Sequence, residues 1–299
     1  MRIGEHVAAA LAAGQPILAL ESTIITHGLP RPRNLKVGLE AQEQLRAAGV
    51  TPATIGVVRG EAIVGLNDDE LAEIANDDSV VKLSVRDLPI AAVRGLSGGT
   101  TVAVTAFLAQ KAGVRVFSTG GLGGVHRGAS ETFDESADLI ALAQYPLVLV
   151  SAGVKSILDI PATLERFETL NVPVVGYRTK HYPGFYVSDS GYEVEYQADS
   201  PEEIAAIAKA RDELGIKSAV VVANPVPKEF ELDPALHDAK IEQALAECKA
   251  RGIHGHDITP FLLDYMQRET SGESLEANLA VYRGNVALGA EIAKALASK

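Results

Sequence analysis

Between Val116 and Leu158 the chain reads VFSTGGLGGVHRGASETFDESADL, then an apolar stretch, then VSAGVKSILD. A glycine run, a set of carboxylates and one lysine therefore fall close together, as in a phosphate pocket with a reactive amine. Gly120, Gly121, Gly123 and Gly124 follow a strand-length apolar run, Val114 to Phe117. Without a Cβ, such positions can take φ > 0 and turn successive backbone N–H groups toward an anion. A glycine run after a strand is equally a plain tight turn. Ser118, Thr119, Ser130 and Thr132 add hydroxyl donors, and His126 and Arg127 follow the loop at once. Glu131, Asp134, Glu135 and Asp138 crowd into eight positions, where like charges repel unless a cation or solvent intervenes. Oxygen donors without cysteine fit a hard ion, Mg²⁺ or Mn²⁺, held by one or two carboxylates and otherwise by water and substrate. The plainer alternative is the solvated start of a helix.

Four more residues stand where chemistry is done. Glu21 comes immediately after the apolar run PILAL, at the carboxyl end of a buried strand, where open α/β sheets bind their ligands. Burial there would raise its pKa toward the range of a general acid, unless it accepts backbone N–H bonds from Thr23 and Ile24. Lys82, in VVKLSVRDLP, and Lys155, after LVLVSAG, lie near strand ends on what can be one rim. A lysine beside apolar walls can present a neutral amine that attacks a carbonyl-like carbon to form an imine. Lys155 is the better nucleophile and Lys82 the better phosphate counter-ion; the alternative is two snorkelling lysines. Asn278 interrupts the apolar face of the last helical segment, so it either caps a neighbouring loop or reads a polar ligand. Ser97 to Thr101 is a further set of N–H groups where an anion or a uracil-like carbonyl could dock, and His27 is a further candidate beside Glu21, with a structural loop histidine as the plainer alternative.

The elements that must position these residues are legible as apolar runs. Pro16 to Leu20, Thr54 to Val58, Val80 to Leu83, Val114 to Phe117, Leu147 to Val150, Pro173 to Gly176 and Ala219 to Val222 have strand length. Most are continuous rather than alternating, so both faces are covered. Helical spacing over Asn34 to Ala48, Thr100 to Ala112, Ile157 to Leu170, Pro201 to Leu214 and Ala235 to Ala250 separates them. The expectation is an α/β fold: a three-layer α/β/α sandwich with a largely parallel central sheet. Antiparallel additions are expected at Arg59-Gly60-Glu61 and as a small hairpin insertion over Tyr182 to Tyr196. Thr259-Pro260 reads as an N-cap and first helical residue, and a helix is expected over Ser274 to Ala297. No repeat or linker marks a boundary, so residues 1–299 are expected to form a single domain.

Composition excludes several classes. With 47% apolar residues the chain can bury a large core, and one cysteine, Cys248, rules out an intrachain disulfide framework and fits a reducing compartment. The heptapeptide VAAALAA is too short for a membrane span or a signal peptide and reads as an amphipathic first helix. A net charge of −12 without a basic cluster argues against a nucleic-acid groove, while leaving room for an isolated nucleotide.

Taken together, ALESTIITHGLPRPRN, KLSVRDLP, GGTTVAVT, FSTGGLGGVHRG, FDESADL, SAGVKSILD and SLEAN resemble the pseudouridine-5′-phosphate glycosidase family, also called indigoidine synthase A-like, over nearly the whole chain. The resemblance implies reversible conversion of pseudouridine 5′-phosphate and water to uracil and ribose 5-phosphate. It also implies Mn²⁺, or another divalent cation such as Mg²⁺, and a homotrimer in the cytoplasm, supplied by a separate pseudouridine kinase. Residue by residue it implies Glu21 as proton donor, Lys155 as nucleophile, Asp134 as the metal carboxylate and Asn278 as a reader of the pyrimidine. Lys82, Val102 through its backbone, and Ser136, Ala137 and Asp138 would contact substrate. One departure is Gly255-His256-Asp257, where the family pattern has Gly-Lys; His254 and His256 read as surface histidines. Two other readings remain: a related enzyme joining ribose 5-phosphate to a different aromatic acceptor, and a sugar-phosphate-binding regulator without turnover.

Overall fold

Strands that are apolar on both faces need a helical layer on each side, and the central strands of this chain are of that kind. In the computed structural model, which describes residues 1–253 and 258–298, every residue of β2, β8 and β11, whose ranges follow, is buried. The first elements are β1 (Arg2–Ile3), α1 (Glu5–Ala12), β2 (Ile17–Leu20), a π-helical turn (Ile24–Gly28) and α2 (Arg33–Ala47). β3 (Thr51–Val58), β4 (Glu61–Val64), α3 (Asp68–Asn76), β5 (Val81–Leu83), α4 (Leu88–Arg94), β6 (Gly98–Thr100) and α5 (Val102–Ala112) come next. Then follow β7 (Val116–Ser118), α6 (Ala129–Thr132), α7 (Ala137–Gln144), β8 (Val148–Ser151), α8 (Ile160–Thr169), β9 (Val174–Tyr177) and β10 (Tyr196–Ala198). α9 (Pro201–Glu213), β11 (Val220–Ala223), α10 (Pro234–Ala250), α11 (Ile258–Glu269) and α12 (Glu273–Ala297) complete the order.

Successive strand side chains point to opposite faces, and the core divides accordingly. Ala19, Phe117, Leu149 and Val221 join one cluster with α1, α5, α7 and α8. Leu18, Leu20, Val116, Val148, Val150, Val220 and Val222 join the other with α2, α3, α9 and much of α12. The expected α/β/α sandwich is therefore present. The strands run in the order β1-β4-β3-β2-β7-β8-β11-β9-β10, with β5 and β6 branching from β3. From β2 through β10 every neighbour pair is parallel; β4 and β6 pair antiparallel with β3, and Arg59-Gly60 makes the expected β3–β4 turn. After β2 the chain moves out to β3 on one side and returns to β7 on the other, which makes β2 and β7 the switch point where such sheets open a crevice.

Three local expectations differ. Tyr182 to Tyr196 does not form a hairpin: beyond a single antiparallel bridge between His181 and Glu193 it is an irregular strap, and β10 at its end pairs parallel with β9. Its aromatics cannot alternate across a ribbon because Tyr182, Phe185 and Tyr186 all turn inward and are buried. The α5 helix starts at Val102 rather than Thr100, because Thr100 is buried in β6, with its N–H donated to Ser22 Oγ and its hydroxyl to the Ile55 carbonyl. Thr259 lies inside α11, which includes Ile258, so it does not cap it. His254, Gly255, His256 and Asp257 lie outside the described residues. Among the described residues, no helix is long and apolar enough to cross a membrane.

Candidate active site

The carboxyl ends of β2, β7 and β8, with the starts of α5 and α7, enclose a cleft of about 790 Å³. Glu21, Lys82, Val102, Asp134, Ser136, Ala137, Asp138, Lys155 and Asn278 all line it. A more open hollow of about 960 Å³, bordered by Gln15, Pro16 and Thr51, lies at the opposite, amino ends of the strands and contains none of them.

Glu21 is buried at the end of β2. It accepts a hydrogen bond from Thr119 Oγ1 rather than from the backbone of the next turn. Burial pushes its carboxyl above the usual carboxylate range, while the Lys155 charge and the Thr119 hydroxyl pull it partly back. A carboxyl shifted in this direction is moved toward the range of a general acid.

Lys155 comes from the loop after β8 and donates from Nζ to the Gly121 carbonyl at 2.6 Å. That loop runs beside the glycine run: Leu122 N–H donates to Gly153 O and Lys155 N–H to Leu122 O. Lys82, on β5, has an exposed side chain that borders the cleft; desolvation there and then the Lys155 charge lower its ammonium pKa, with Asp138 and Glu21 opposing. Lys82 therefore shares the cleft with Lys155, Asp138 and Glu21.

The glycine run is no anion nest built on positive φ. None of Gly120, Gly121, Gly123 and Gly124 adopts that conformation, and the Gly123 N–H is donated to Asp138 Oδ2 at 2.9 Å. These glycines are needed for close approach instead. A Cβ on Gly121 would stand 2.5 Å from the Phe185 ring, and one on Gly123 would run into Ser136 and Asp138. Ser97 to Thr101 likewise spends its N–H groups within the fold, Thr100 on Ser22 and Thr101 on the Leu83 carbonyl. Two helices begin at the cleft. Val102 heads α5, and Ser136 caps α7 by accepting from the Asp138 N–H at 3.2 Å. Asp138 ties these starts together, since its Oδ1 accepts from the Ala103 N–H at 2.9 Å.

Of the acidic run, Asp134, Glu135 and Asp138 line the cleft, and each makes different contacts. Asp138 is buried against backbone N–H groups, Glu135 pairs with Arg166 at 3.0 Å, and Glu131 is exposed. Asp134 has His126 Nδ1 3.8 Å from its Oδ2. Burial lowers the His126 pKa, with Lys82 and Lys155 adding to this and Asp134 opposing. Among the described residues there is no group of three or more His, Cys, Asp or Glu that could hold a metal. A divalent ion at Asp134 would thus take most of its ligands from water and substrate, a donor set that suits Mg²⁺ or Mn²⁺.

Asn278, on α12, lines the cleft and is buried, and its Oδ1 has no partner among the described residues. An orphaned acceptor at a cavity wall is a place for a ligand donor.

The family model for indigoidine synthase A like proteins matches residues 6–295. A protein of Saccharopolyspora erythraea named pseudouridine-5′-phosphate glycosidase is 63% identical over 295 residues, which cover 99% of this chain and 97% of the relative. The chain belongs to the indigoidine synthase A-like family. Another member of the family of glycosidases by name, from Frankia alni, is 57% identical over 97% of this chain and 80% of its own. Two solved structures share the fold. An indigoidine synthase A-like protein of Thermotoga maritima superposes with a TM-score of 0.89 at 36% identity, covering 95% of this chain and 94% of its own. The prealnumycin C-glycosynthase AlnA, in complex with ribulose 5-phosphate, gives 0.91 at 34% identity, covering 99% and 96%.

Within this family member, sequence reasoning missed three residues that shape the site. Phe185 covers Gly121 from the strap. Tyr282, fully buried, has a hydroxyl with no partner among the described residues, and the Glu21 charge adds to the burial that raises its pKa. Asn285 donates from Nδ2 to the carbonyls of Thr119 and Gly120. The signal for the last two was available: Tyr282 and Asn285 lie four and seven residues after Asn278, on the same helical face. His27 also lines the cleft, with its Nδ1 2.7 Å from Thr26 Oγ1.

Proposed function

We propose that the chain is a C-glycosidase that reversibly cleaves the C1′–C5 bond of pseudouridine 5′-phosphate, with water, to uracil and ribose 5-phosphate. One observation carries the reading: a buried carboxyl at Glu21, its pKa raised by burial, and the Lys155 side chain share one cleft in a chain 63% identical to a protein named for that activity. A carbon–carbon glycosidic bond offers no leaving nitrogen to protonate, so an amine route is needed.

In that route Glu21 protonates the ribose ring oxygen and the C1′–O bond opens. Lys155 adds through Nζ to C1′. Uracil C5 takes a proton, the C1′–C5 bond breaks, and the electron pair on the lysine nitrogen becomes the C=N bond of a lysine–ribose imine. Water then adds at C1′ and restores the amine, releasing ribose 5-phosphate. Lys82 and the starts of α5 and α7, at Val102 and at Ser136, Ala137 and Asp138, hold the phosphate and sugar. Asn278 Oδ1 accepts a pyrimidine N–H. When bound at Asp134, Mn²⁺ or Mg²⁺ would supply positive charge to the sugar-phosphate oxygens. The working form proposed is a cytoplasmic homotrimer fed by a separate pseudouridine kinase.

The test is chromatographic: purified protein, pseudouridine 5′-phosphate and Mn²⁺, with and without EDTA. Metal-dependent release of uracil is the expected result. The AlnA fold match supports a second reading, ribosylation of another aromatic acceptor. Failure to release uracil, together with failure to form the C-nucleotide from uracil and ribose 5-phosphate, would favour it.

A further inference from the structure

Glu21 follows β2, and Lys155 lies four residues beyond β8, with β7 between those strands. Both side chains end on flexible stems, so the strands alone do not set acid against amine. Both ends are tied instead to one short segment. Thr119 Oγ1 donates to Glu21 Oε1, and the Gly121 carbonyl accepts from Lys155 Nζ at 2.6 Å. Between those anchor points, the Thr119 and Gly120 carbonyls both accept from Asn285 Nδ2, at 2.7 and 3.2 Å.

Asn285 is fully buried in α12. Its Oδ1 accepts from Asn224 Nδ2 at 2.9 Å, and its own carbonyl accepts from Ser118 Oγ at 2.9 Å. Both ends of the amide are thereby satisfied, and the partners set which end is nitrogen. An apolar residue would fill this core position without the desolvation cost of a buried amide. The amide is spent on a loop outside its own helix, at the two peptides between the contacts to Glu21 and Lys155.

We propose that Asn285, steadied by Asn224, is a positioning residue that aligns Glu21 with Lys155 through the Thr119–Gly121 segment. This rests on the function proposed above. Asn285 does not line the cleft, so it acts without touching substrate. With the Thr119 hydroxyl on Oε1, Oε2 is left to carry the proton that Glu21 transfers.

The groups facing Glu21 are Lys155 from the loop after β8, Thr119 after β7, Asp138 from α7, Lys82 from β5 and Tyr282 from α12. Of these, the Thr119 contact is the one Asn285 holds most directly, and it favours the ionised carboxylate. Loosening it moves the Glu21 titration to higher pH. Because the acid form is the active one, the alkaline limb of the pH–rate profile moves up with it.

The experiment compares wild type, Asn285→Ala and Asn224→Ala by kcat, KM and pH–rate profile. It also follows the Glu21 carboxyl by carbon-13 NMR, with the signal assigned by its loss in Glu21→Gln. For Asn285→Ala the expected result is a fall in kcat of about 100-fold with KM within about threefold, as misalignment of reacting groups produces. The alkaline limb and the carboxyl titration should both move up, and Asn224→Ala should show smaller changes in the same directions. A folded Asn285→Ala protein that loses thermal stability but keeps the wild-type kcat and titration would overturn the proposal. Should Asn285→Ala fail to fold, an unchanged kcat and titration in Asn224→Ala would overturn it. Wild-type turnover judges the functional reading separately, because the NMR titration needs none.

Discussion

A lysine that forms an imine is separable from one that only balances charge. Borohydride with ribose 5-phosphate should leave a reduced adduct on wild type, located by peptide mass spectrometry at Lys155. Lys155→Ala should lose both adduct and turnover, whereas Lys82→Ala should keep a trappable amine while KM rises. A label at Lys82 would reverse the two roles. For Glu21, replacement by Gln should lower kcat by about 10²- to 10⁴-fold, the usual span for a lost general acid. The same residue carries a stability signature. Its folded carboxyl titrates above the unfolded one, so native protein holds a proton that unfolded protein has released. That contribution is full below about pH 4.3, the value of a free glutamate, and is lost as pH rises through the folded value. Urea midpoints of wild type should therefore fall with rising pH relative to Glu21→Gln; a constant difference across the pH range would mean that Glu21 is not held protonated.

At the scale of elements, the glycine run is a packing joint between β7, the strap and α7. A methyl group at Gly121 meets the Phe185 ring at 2.5 Å, and relief would shift the carbonyl that holds Lys155. Gly121→Ala should thus lower kcat more than it lowers thermal stability, and adding Phe185→Leu should recover part of the loss by opening space. If the double variant is no better than the single, the glycine serves some purpose other than closeness to the strap. The sheet predicts a different outcome. Leu149 is fully buried in β8, away from the cleft, so Leu149→Ala should cost about 2–5 kcal/mol in denaturant unfolding, with KM unchanged in the fraction that stays folded.

At the scale of the whole molecule, the proposed function asks a chain of net charge −12 to admit a phosphorylated nucleoside. In that proposal Lys82, Lys155 and two helix starts, all at the cleft, supply the attraction for an anion. Free pseudouridine lacks the group these features hold. It should be cleaved with a kcat/KM lower by at least about 100-fold, the scale of losing charge-assisted hydrogen bonds. Equal rates on the two compounds would remove the phosphate role from Lys82 and the α5 start. Light scattering of the purified protein tests the proposed trimer.

Much of this molecule can be read from local pattern. β2, β8, β9 and β11 fall where continuous apolar runs lie, because a strand buried on both faces has little choice of residue, and α2, α8, α9, α10 and α12 follow helical spacing within a few residues. Glu21, Lys82, Lys155 and Asn278 are visible as polar residues at strand ends or within an apolar face, since burying such a group without a partner is costly. Local pattern is silent on who that partner is. Asp138 looks like one carboxylate in an acidic run, yet it fastens α5 to the glycine run, because Ala103, 35 residues away, comes to it only through packing. The Tyr182 to Tyr196 strap reads as a ribbon until Tyr182, Phe185 and Tyr186 have a core to enter. Asn285 gains its meaning from Thr119 and Gly120, more than 160 residues earlier. Residue types and their periods are set along the chain, while hydrogen-bond partners depend on which elements the closed core brings together.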